Sequence, residues 1–157
     1  MDFSELFDKA VTAFLEMVRD GGFNLHSEKD IQALIFHYAL TLTESNSLPQ
    51  KLHAEPTKAG MRPDLVLGDD EVFLEVKLSK AHSGGYTQAV RSWVADVKKL
   101  QRYRSLWPES RCVFLGIDEA GHHSSPSSDN YFDPVAAGLR GRWSQLGSSV
   151  GYFLGEL

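Results

Sequence analysis

The segment 72–78 alternates strictly between apolar residues and a second set made up of Phe73, Glu75 and Lys77. Successive side chains of a strand project to opposite faces of its sheet. This pattern therefore predicts a strand with one buried face and with Glu75 and Lys77 together on the other face. Residues 62–67 are predicted to form the preceding antiparallel strand, joined to it by a short glycine-containing turn. The fold must therefore contain a sheet whose hairpin carries two neighbouring opposite charges.

Helical and strand-like patterns surround this hairpin. Apolar residues at helical spacing predict three helices, over residues 4–19, 27–42 and 86–105. Shorter apolar runs and turn residues predict the remaining elements, which are strands at 51–55 and 111–117, a short helix at 133–139 and an edge strand at 148–154. This order of elements predicts a mixed α/β domain with helices packed around a central sheet.

Length and composition limit the classes of protein to which the chain can belong. With 157 residues, of which 42% are hydrophobic, we expect a single domain spanning residues 1–157. No apolar run approaches the roughly 18–20 residues that cross a membrane. The first residues are acidic where a signal peptide is basic, and Cys112 is the one cysteine, so a cytoplasmic protein is expected. The net charge of −5 argues against coating nucleic acid by bulk charge, but it leaves room for an enzyme with one basic face.

Asp64, Glu75 and Lys77 form the most informative set of polar residues. Whether the carboxylate of Asp64 reaches Glu75 depends on strand register, which the sequence leaves open. Two carboxylates and an ammonium group suit a divalent metal, because Mg²⁺ prefers oxygen ligands and can activate water for attack on a phosphate ester. The lysine could orient or deprotonate that water, or neutralise phosphate charge. The alternative interpretation is an ion pair on an exposed sheet face, which would carry no chemistry.

The pattern Pro63-Asp64, ten further residues and then Glu75-Val76-Lys77 resembles the motif of the PD-(D/E)XK nuclease superfamily, which includes restriction endonucleases and archaeal-type Holliday junction resolvases. The likeness covers the elements predicted between residues 27 and 117, or about 90 residues. It implies a restriction-endonuclease-like three-layer α/β/α sandwich with a central mixed sheet. It also implies hydrolysis of phosphodiester bonds, with DNA rather than RNA as the expected substrate. Mg²⁺, or Mn²⁺ as a substitute, would be held by Asp64 and Glu75, and Lys77 would act on the attacking water or the scissile phosphate.

Two more residues become candidates through the same resemblance. Many members carry a glutamate on the helix before the first strand, and Glu28 has that place on an inward-facing side of its helix. Gln101 falls in the core-facing arc of the third helix, where relatives have an aspartate followed by a Gln-Leu-x-x-Tyr or similar pattern. The alternatives are a favourable interaction of Glu28 with the helix dipole, and a Gln101 amide that caps a backbone group.

A basic stripe follows one side of the third helix. Arg91, Lys98 and Arg102 lie within about 40° of one another at 100° per residue, and Arg62 adds positive charge beside the predicted site. Such a stripe would suit the backbone of a nucleic acid. The alternative is an ordinary solvated helix face.

Other functions are compatible with the same sequence. The fold could serve as a catalytically silent interaction module, as a subunit or immunity-type protein of a larger assembly, or as a decayed nuclease that binds nucleic acid without cutting it. The complete set of Asp64, Glu75 and Lys77 counts against a silent module. A nuclease would need more binding surface than one small acidic domain offers, and a homodimer could supply that surface.

Overall fold

The computed structural model describes residues 1–21, 24–80, 86–147 and 150–157. The described elements are α1 (Phe3–Arg19), α2 (Glu28–Ser45), β1 (Leu52–Ala54), β2 (Leu65–Leu67), β3 (Val72–Ser79), α3 (Tyr86–Leu106), β4 (Arg111–Asp118), β5 (Arg140–Leu146) and β6 (Val150–Glu156). The three predicted helices and the first four predicted strands are confirmed, with differences of a few residues at their ends. None of the described helices combines the length and the apolar character that crossing a membrane requires.

The described strands form one mixed sheet in the order β1-β2-β3-β4-β6-β5. The central pair, β3 and β4, is parallel, and the other neighbouring pairs are antiparallel. The strand predicted at 148–154 forms as β6, but its predicted position at the edge of the sheet is wrong, because β6 lies between β4 and β5. Residues 148 and 149 of that prediction lie outside the described residues. The edge of the sheet opposite β1 is formed by β5. This strand was not predicted from the sequence, and it pairs with β6 along its whole length.

Helices cover both faces of this sheet, and each face has its own cluster of buried apolar residues. On one face, α1 and α2 pack against Val72, Leu74 and Val76, the apolar set of the alternating strand. On the other face, α3 packs against β3 and β4, where Tyr103 stacks on Phe73. The predicted separation of the two faces of β3 is therefore confirmed. The α/β class with a central mixed sheet is confirmed as well.

The start of α2 bears on the candidate site, because Glu28 is its first residue. Ser27 and Asp30 form a capping pair at this helix start, with Asp30 Oδ2 accepting hydrogen bonds from the backbone N–H groups of His26 at 2.8 Å and Ser27 at 2.9 Å. These hydrogen bonds lower the pKa of Asp30, and the bond from His26 has the larger effect. The cap fixes the first turn of α2 and so places Glu28 where its carboxylate reaches the backbone of Leu78 in β3.

The predicted short helix at 133–139 is wrong, because the chain makes a turn there and does not continue as a helix. Asp133 still caps this turn, since its Oδ1 accepts hydrogen bonds from the backbone N–H groups of Val135 at 3.1 Å and Ala136 at 3.2 Å. Gly138 then adopts a φ of 97°, which favours glycine and turns the chain away toward β5.

Candidate active site at the open edge of strand β3

The antiparallel partner of β3 covers only the first part of that strand. Since β2 pairs with residues 72–74, the backbone N–H groups of Val76 and Leu78 extend beyond it. Two carboxylate side chains bind them instead. Asp64 Oδ2 accepts a hydrogen bond from the Val76 N–H at 2.6 Å, and Glu28 Oε1 accepts one from the Leu78 N–H at 3.4 Å. The edge of β3 thereby fixes two acidic side chains in place.

The position of Asp64 settles the question of register. Leu65 pairs with Leu74, and the Asp64 N–H donates to the Leu74 carbonyl at 3.1 Å. Asp64 therefore occupies the position next to Glu75 across the hairpin. Its Oδ1 accepts a hydrogen bond of 2.7 Å from Gln32 Nε2 of α2. Burial raises the pKa of Asp64 to about 6, although its backbone hydrogen bond opposes the rise.

Glu75 lies on the face of β3 that packs on α3 and is completely buried, with 0% of its surface exposed. Its Oε2 lies 2.7 Å from Lys99 Nζ. Within the described residues, neither of its oxygens takes part in a hydrogen bond of normal geometry. Burial, reinforced by the negative charges of Asp64 and Asp96, raises the pKa of Glu75 to about 9. A carboxyl group held in this way is costly to the fold and is typical of a site for a ligand or for chemistry.

Lys77 lies on the same face of β3 as Glu75 but pairs with other carboxylates. Its Nζ lies 3.0 Å from Asp96 Oδ2 and 3.4 Å from Glu28 Oε1. Burial lowers the pKa of Lys77, but Asp96 and Glu28 outweigh that effect and raise the pKa above its ordinary value. In this charged form Lys77 is a hydrogen-bond donor, which suits it to orienting water or neutralising a phosphate. The alternative of an ion pair on an exposed sheet face is wrong, because Glu75 is buried and the two residues pair elsewhere.

Helix α3 brings Asp96 and Lys99 to the cluster. Asp96 lies between two lysines, with Oδ1 3.4 Å from Lys99 Nζ and Oδ2 3.0 Å from Lys77 Nζ. Lys99 also donates to the backbone carbonyl of Arg62 at 3.3 Å. The charged side chains are thus joined in a chain of contacts, in the order Glu75, Lys99, Asp96, Lys77 and Glu28. Sequence reasoning did not assign Lys99 to the site.

Tyr103 completes the α3 side of the cluster. Its ring stacks on Phe73 with the centroids 4.9 Å apart, and its buried hydroxyl forms no hydrogen bond of normal geometry in the described part of the chain. Burial, and then the negative charge of Glu75, raise the pKa of this hydroxyl. Asp96, Lys99 and Tyr103 follow one another at spacings of three and four residues, which places them on one side of a helix. That spacing groups Lys99 with Asp96 and Tyr103, but it does not show that this flank of α3 faces Glu75.

Gln101 lies outside this cluster. Its side chain is exposed, and Nε2 donates at 3.3 Å to the backbone carbonyl of Ala137. The expectation that Gln101 faces the core is wrong, and the alternative of an amide bound to a backbone group is the arrangement found. Among the described residues Gln101 forms no hydrogen bond with the cluster, so its role at the site stays a prediction. Glu28, by contrast, faces inward as predicted, and its partly exposed side chain contacts Lys77.

The four basic residues predicted to bind nucleic acid are exposed; they are Arg62, Arg91, Lys98 and Arg102. The three on α3 lie toward solvent, whereas Lys99 of the same helix turns toward Glu75. The contact of Lys99 with the Arg62 carbonyl places Arg62 beside the cluster. This exposure agrees equally with a surface for nucleic acid and with a solvated helix face, so nucleic-acid binding stays a prediction.

Within the described residues, no group of three or more His, Cys, Asp and Glu side chains is arranged to hold a metal ion. The oxygen chemistry of the cluster still fits a hard cation, because the buried oxygens of Glu75 form no normal hydrogen bond and lie close to the charges of Asp64 and Asp96. Fully ionised, the four carboxylates of the cluster outnumber its two lysines and leave a net negative charge. The cluster therefore suits a divalent cation in ligand type and in charge.

Compared with protein families, with characterised proteins and with solved structures, the chain shows no significant similarity. The resemblance to PD-(D/E)XK nucleases thus depends on the motif and its place on the hairpin.

Proposed function

We propose that this protein is a metal-dependent nuclease with a restriction-endonuclease-like fold, which hydrolyses the phosphodiester bonds of DNA rather than those of RNA. The observation that carries this proposal is the placement of Glu75. It is a fully buried carboxyl group without a hydrogen bond of normal geometry among the described residues, next to Asp64 and in a cluster with two lysines. Neighbouring buried carboxylates repel each other unless a cation lies between them. A bound divalent metal ion would remove that repulsion.

Asp64 and Glu75 are the residues that would hold Mg²⁺, or Mn²⁺ in its place, through their carboxylate oxygens. When bound, such an ion activates water for attack on phosphorus and stabilises the negative charge that develops on the phosphate. Gln32 at 2.7 Å and the Val76 N–H at 2.6 Å hold the Asp64 carboxylate in one orientation. One ligand is therefore positioned before the metal arrives.

Lys77 would keep its proton on Nζ, because Asp96 at 3.0 Å and Glu28 at 3.4 Å stabilise the charged form. From this position the ammonium group donates hydrogen bonds to the attacking water or to a phosphate oxygen. Its positive charge stabilises the transition state more than the ground state, since negative charge grows on the phosphate as the bond breaks. Asp96 and Glu28 act as positioning residues that work through Lys77.

The substrate backbone would meet the exposed basic residues, which are Arg91, Lys98 and Arg102 on α3 and Arg62 beside the cluster. Because the whole chain has a net charge of −5, this local surface and not the overall charge would attract DNA. A homodimer would double the basic surface and is part of the proposal.

The test is cleavage of labelled single-stranded, duplex and branched DNA, and of matching RNA, in Mg²⁺, Mn²⁺ or EDTA. Glu75→Gln and Lys77→Met are compared with Glu71→Gln, the same chemical change at an exposed glutamate just before β3. We expect metal-dependent cleavage by wild type and Glu71→Gln, and a loss of about a hundredfold or more in both site variants. The proposal would be overturned if both site variants still cleaved at the wild-type rate. It would also be overturned if folded wild type cleaved nothing in Mg²⁺ and nothing in Mn²⁺.

One observation favours a second candidate function, that of a catalytically silent interaction module. Lys99 Nζ already lies 2.7 Å from Glu75, and an ammonium group there could balance the cluster without metal. Such a protein would bind no divalent cation. Calorimetric titration separates the two functions: Mn²⁺ binding that Glu75→Gln weakens favours the nuclease, and a wild type that binds no Mn²⁺ favours the module.

A further inference from the structure

We propose that Lys99 is a built-in counter-cation of the carboxylate cluster, which competes with a divalent metal ion for Glu75 and gives up its contacts with Glu75 and Asp96 when the metal binds. This inference deepens the proposed function and rests on it for the nature of the ligand. It assigns a role to a residue outside the motif of Asp64, Glu75 and Lys77.

The surroundings of Lys99 Nζ are those of a cation site. Three oxygens lie around it, which are Glu75 Oε2 at 2.7 Å, the Arg62 carbonyl at 3.3 Å and Asp96 Oδ1 at 3.4 Å. Two carboxylates and a backbone carbonyl are ligand types that hard divalent cations prefer. Lys77 has a different arrangement, since its ammonium contacts the other oxygen of Asp96 and the carboxylate of Glu28.

A metal ion and this ammonium group exclude each other from Glu75 Oε2. Mg²⁺ binds oxygen ligands at about 2.0–2.1 Å, which is inside the 2.7 Å separation of Lys99 Nζ from the same oxygen. Two cations at one buried oxygen repel each other strongly, because the surrounding dielectric is low. Metal binding through Glu75 therefore requires Lys99 to move. The apparent affinity for the metal equals the intrinsic affinity multiplied by the fraction of molecules in which Lys99 has left the site.

Lys99 has the freedom to make this movement. Its side chain is 31% exposed, whereas Glu75 is fully buried, and its ammonium stands at the end of a flexible four-carbon stem. Once displaced, the ammonium would lie on the exposed side of the cluster, from which an anionic substrate would approach and beside which the exposed Arg62 lies. Metal and phosphodiester binding should then strengthen each other, because each favours the same displaced position of Lys99.

Isothermal titration calorimetry of the full chain with Mn²⁺ alone tests this competition. Lys99→Met removes the ammonium and keeps the stem, and Lys99→Gln is a second variant in case the first fails to fold. Lys9→Met is the control, because Lys9 also pairs with a glutamate, Glu5 at 2.9 Å, but belongs to α1 on the other side of the sheet. Circular dichroism verifies that each variant is folded. We expect both Lys99 variants to bind Mn²⁺ about tenfold or more tightly than wild type and Lys9→Met do.

The outcomes distinguish this inference from the proposed function. If wild type binds Mn²⁺ and the Lys99 substitutions leave its affinity unchanged or weaker, competition is overturned and the nuclease proposal stands. If only the Lys99 variants bind, competition is supported and a metal-dependent wild-type enzyme is overturned. If no folded variant binds, both are overturned. A thermal midpoint that Mn²⁺ raises further in Lys99→Met than in wild type would give independent support.

Discussion

The carboxylate of Asp64 accepts a hydrogen bond of 2.6 Å from the backbone N–H of Val76, at a point of β3 that β2 does not cover. Asp64 thus has two tasks, since it completes the hydrogen bonding of the sheet and presents negative charge to the cluster around Glu75. The two tasks are separable, because an amide oxygen can accept the same hydrogen bond without carrying a charge.

Substitution of Asp64 should therefore have different effects on stability and on cleavage. We expect Asp64→Asn to keep most of the wild-type free energy of unfolding and to lose metal affinity and cleavage. Asp64→Ala leaves the Val76 N–H without its acceptor and should lower the free energy of unfolding by about 1–3 kcal/mol. Urea denaturation followed by tryptophan fluorescence compares the two variants. Equal destabilisation by both would show that accepting this bond is not the structural role of Asp64.

The pH dependence of stability should reflect the buried carboxyl group of Glu75. Its pKa is about 9 in the folded protein against an ordinary 4.5, so the folded state binds more protons than the unfolded chain between these values. Stability therefore falls as the pH rises through that window. Glutamine does not ionise, and we expect Glu75→Gln to exceed wild type in stability near pH 9, with the difference shrinking toward pH 4.5. Urea midpoints measured in EDTA provide the comparison, and a wild type that gains stability over the variant with rising pH would contradict it.

Replacement of Lys77 by arginine distinguishes a charged donor from a general base. Arginine keeps the positive charge and the donors but does not release a proton at neutral pH. Because Asp96 and Glu28 hold Lys77 in its charged form, we expect Lys77→Arg to cleave about tenfold or more faster than Lys77→Met. Single-turnover rates in Mg²⁺ measure the difference. Equal inactivity of both variants, together with a wild-type rate that rises steadily with pH, would identify Lys77 as the base.

Substitution of Arg102 tests the basic stripe of α3. We expect Arg102→Ala to weaken the binding of duplex DNA by a similar factor for every sequence and to reduce the slope of log K against log salt by about one. Fluorescence anisotropy over a series of salt concentrations gives both quantities. Arg140→Ala is the matched control, because Arg140 is an exposed arginine on the far edge of the sheet. An unchanged slope for Arg102→Ala would assign the stripe to ordinary solvated surface.

Features of the site that depend on local pattern could be predicted from the sequence. Alternation alone separates the wholly apolar face of β3 from the face that carries Glu75 and Lys77. The pair of Ser27 and Asp30 marks the start of α2, because the capping contacts span only a few residues. Burial of Glu75 could not be read in this way, since it depends on the packing of α3 over the strand.

Lys99 and Gln101 show that local pattern does not predict which flank of α3 faces the site. At about 100° per residue, the two side chains lie on opposite flanks of the buried arc of α3, and periodicity treats both flanks alike. The choice between them depends on how the helix crosses the sheet. In the structure, Lys99 faces Glu75 and Gln101 faces the turn at Ala137. The resemblance to a known motif pointed to Gln101, whereas the residue of α3 that contacts Glu75 is Lys99.

Strand β5 could not be predicted from the sequence for a different reason. Polar residues occupy both of its alternating sets, with Arg142 and Ser144 in one and Gln145 in the other, so the sequence shows no period of two. This strand forms because β6 offers a complete antiparallel partner, and that partner cannot be recognised from the segment itself.

Strands with free N–H groups along an edge invite other chains to add to the sheet, and proteins commonly block such edges with charged side chains. On β3, Asp64 and Glu28 already occupy those N–H groups. Replacing both residues by alanine should accordingly produce self-association as well as inactivity, visible as larger species in light scattering. The acidic residues that would make this chain an enzyme would then also keep neighbouring copies from extending its sheet.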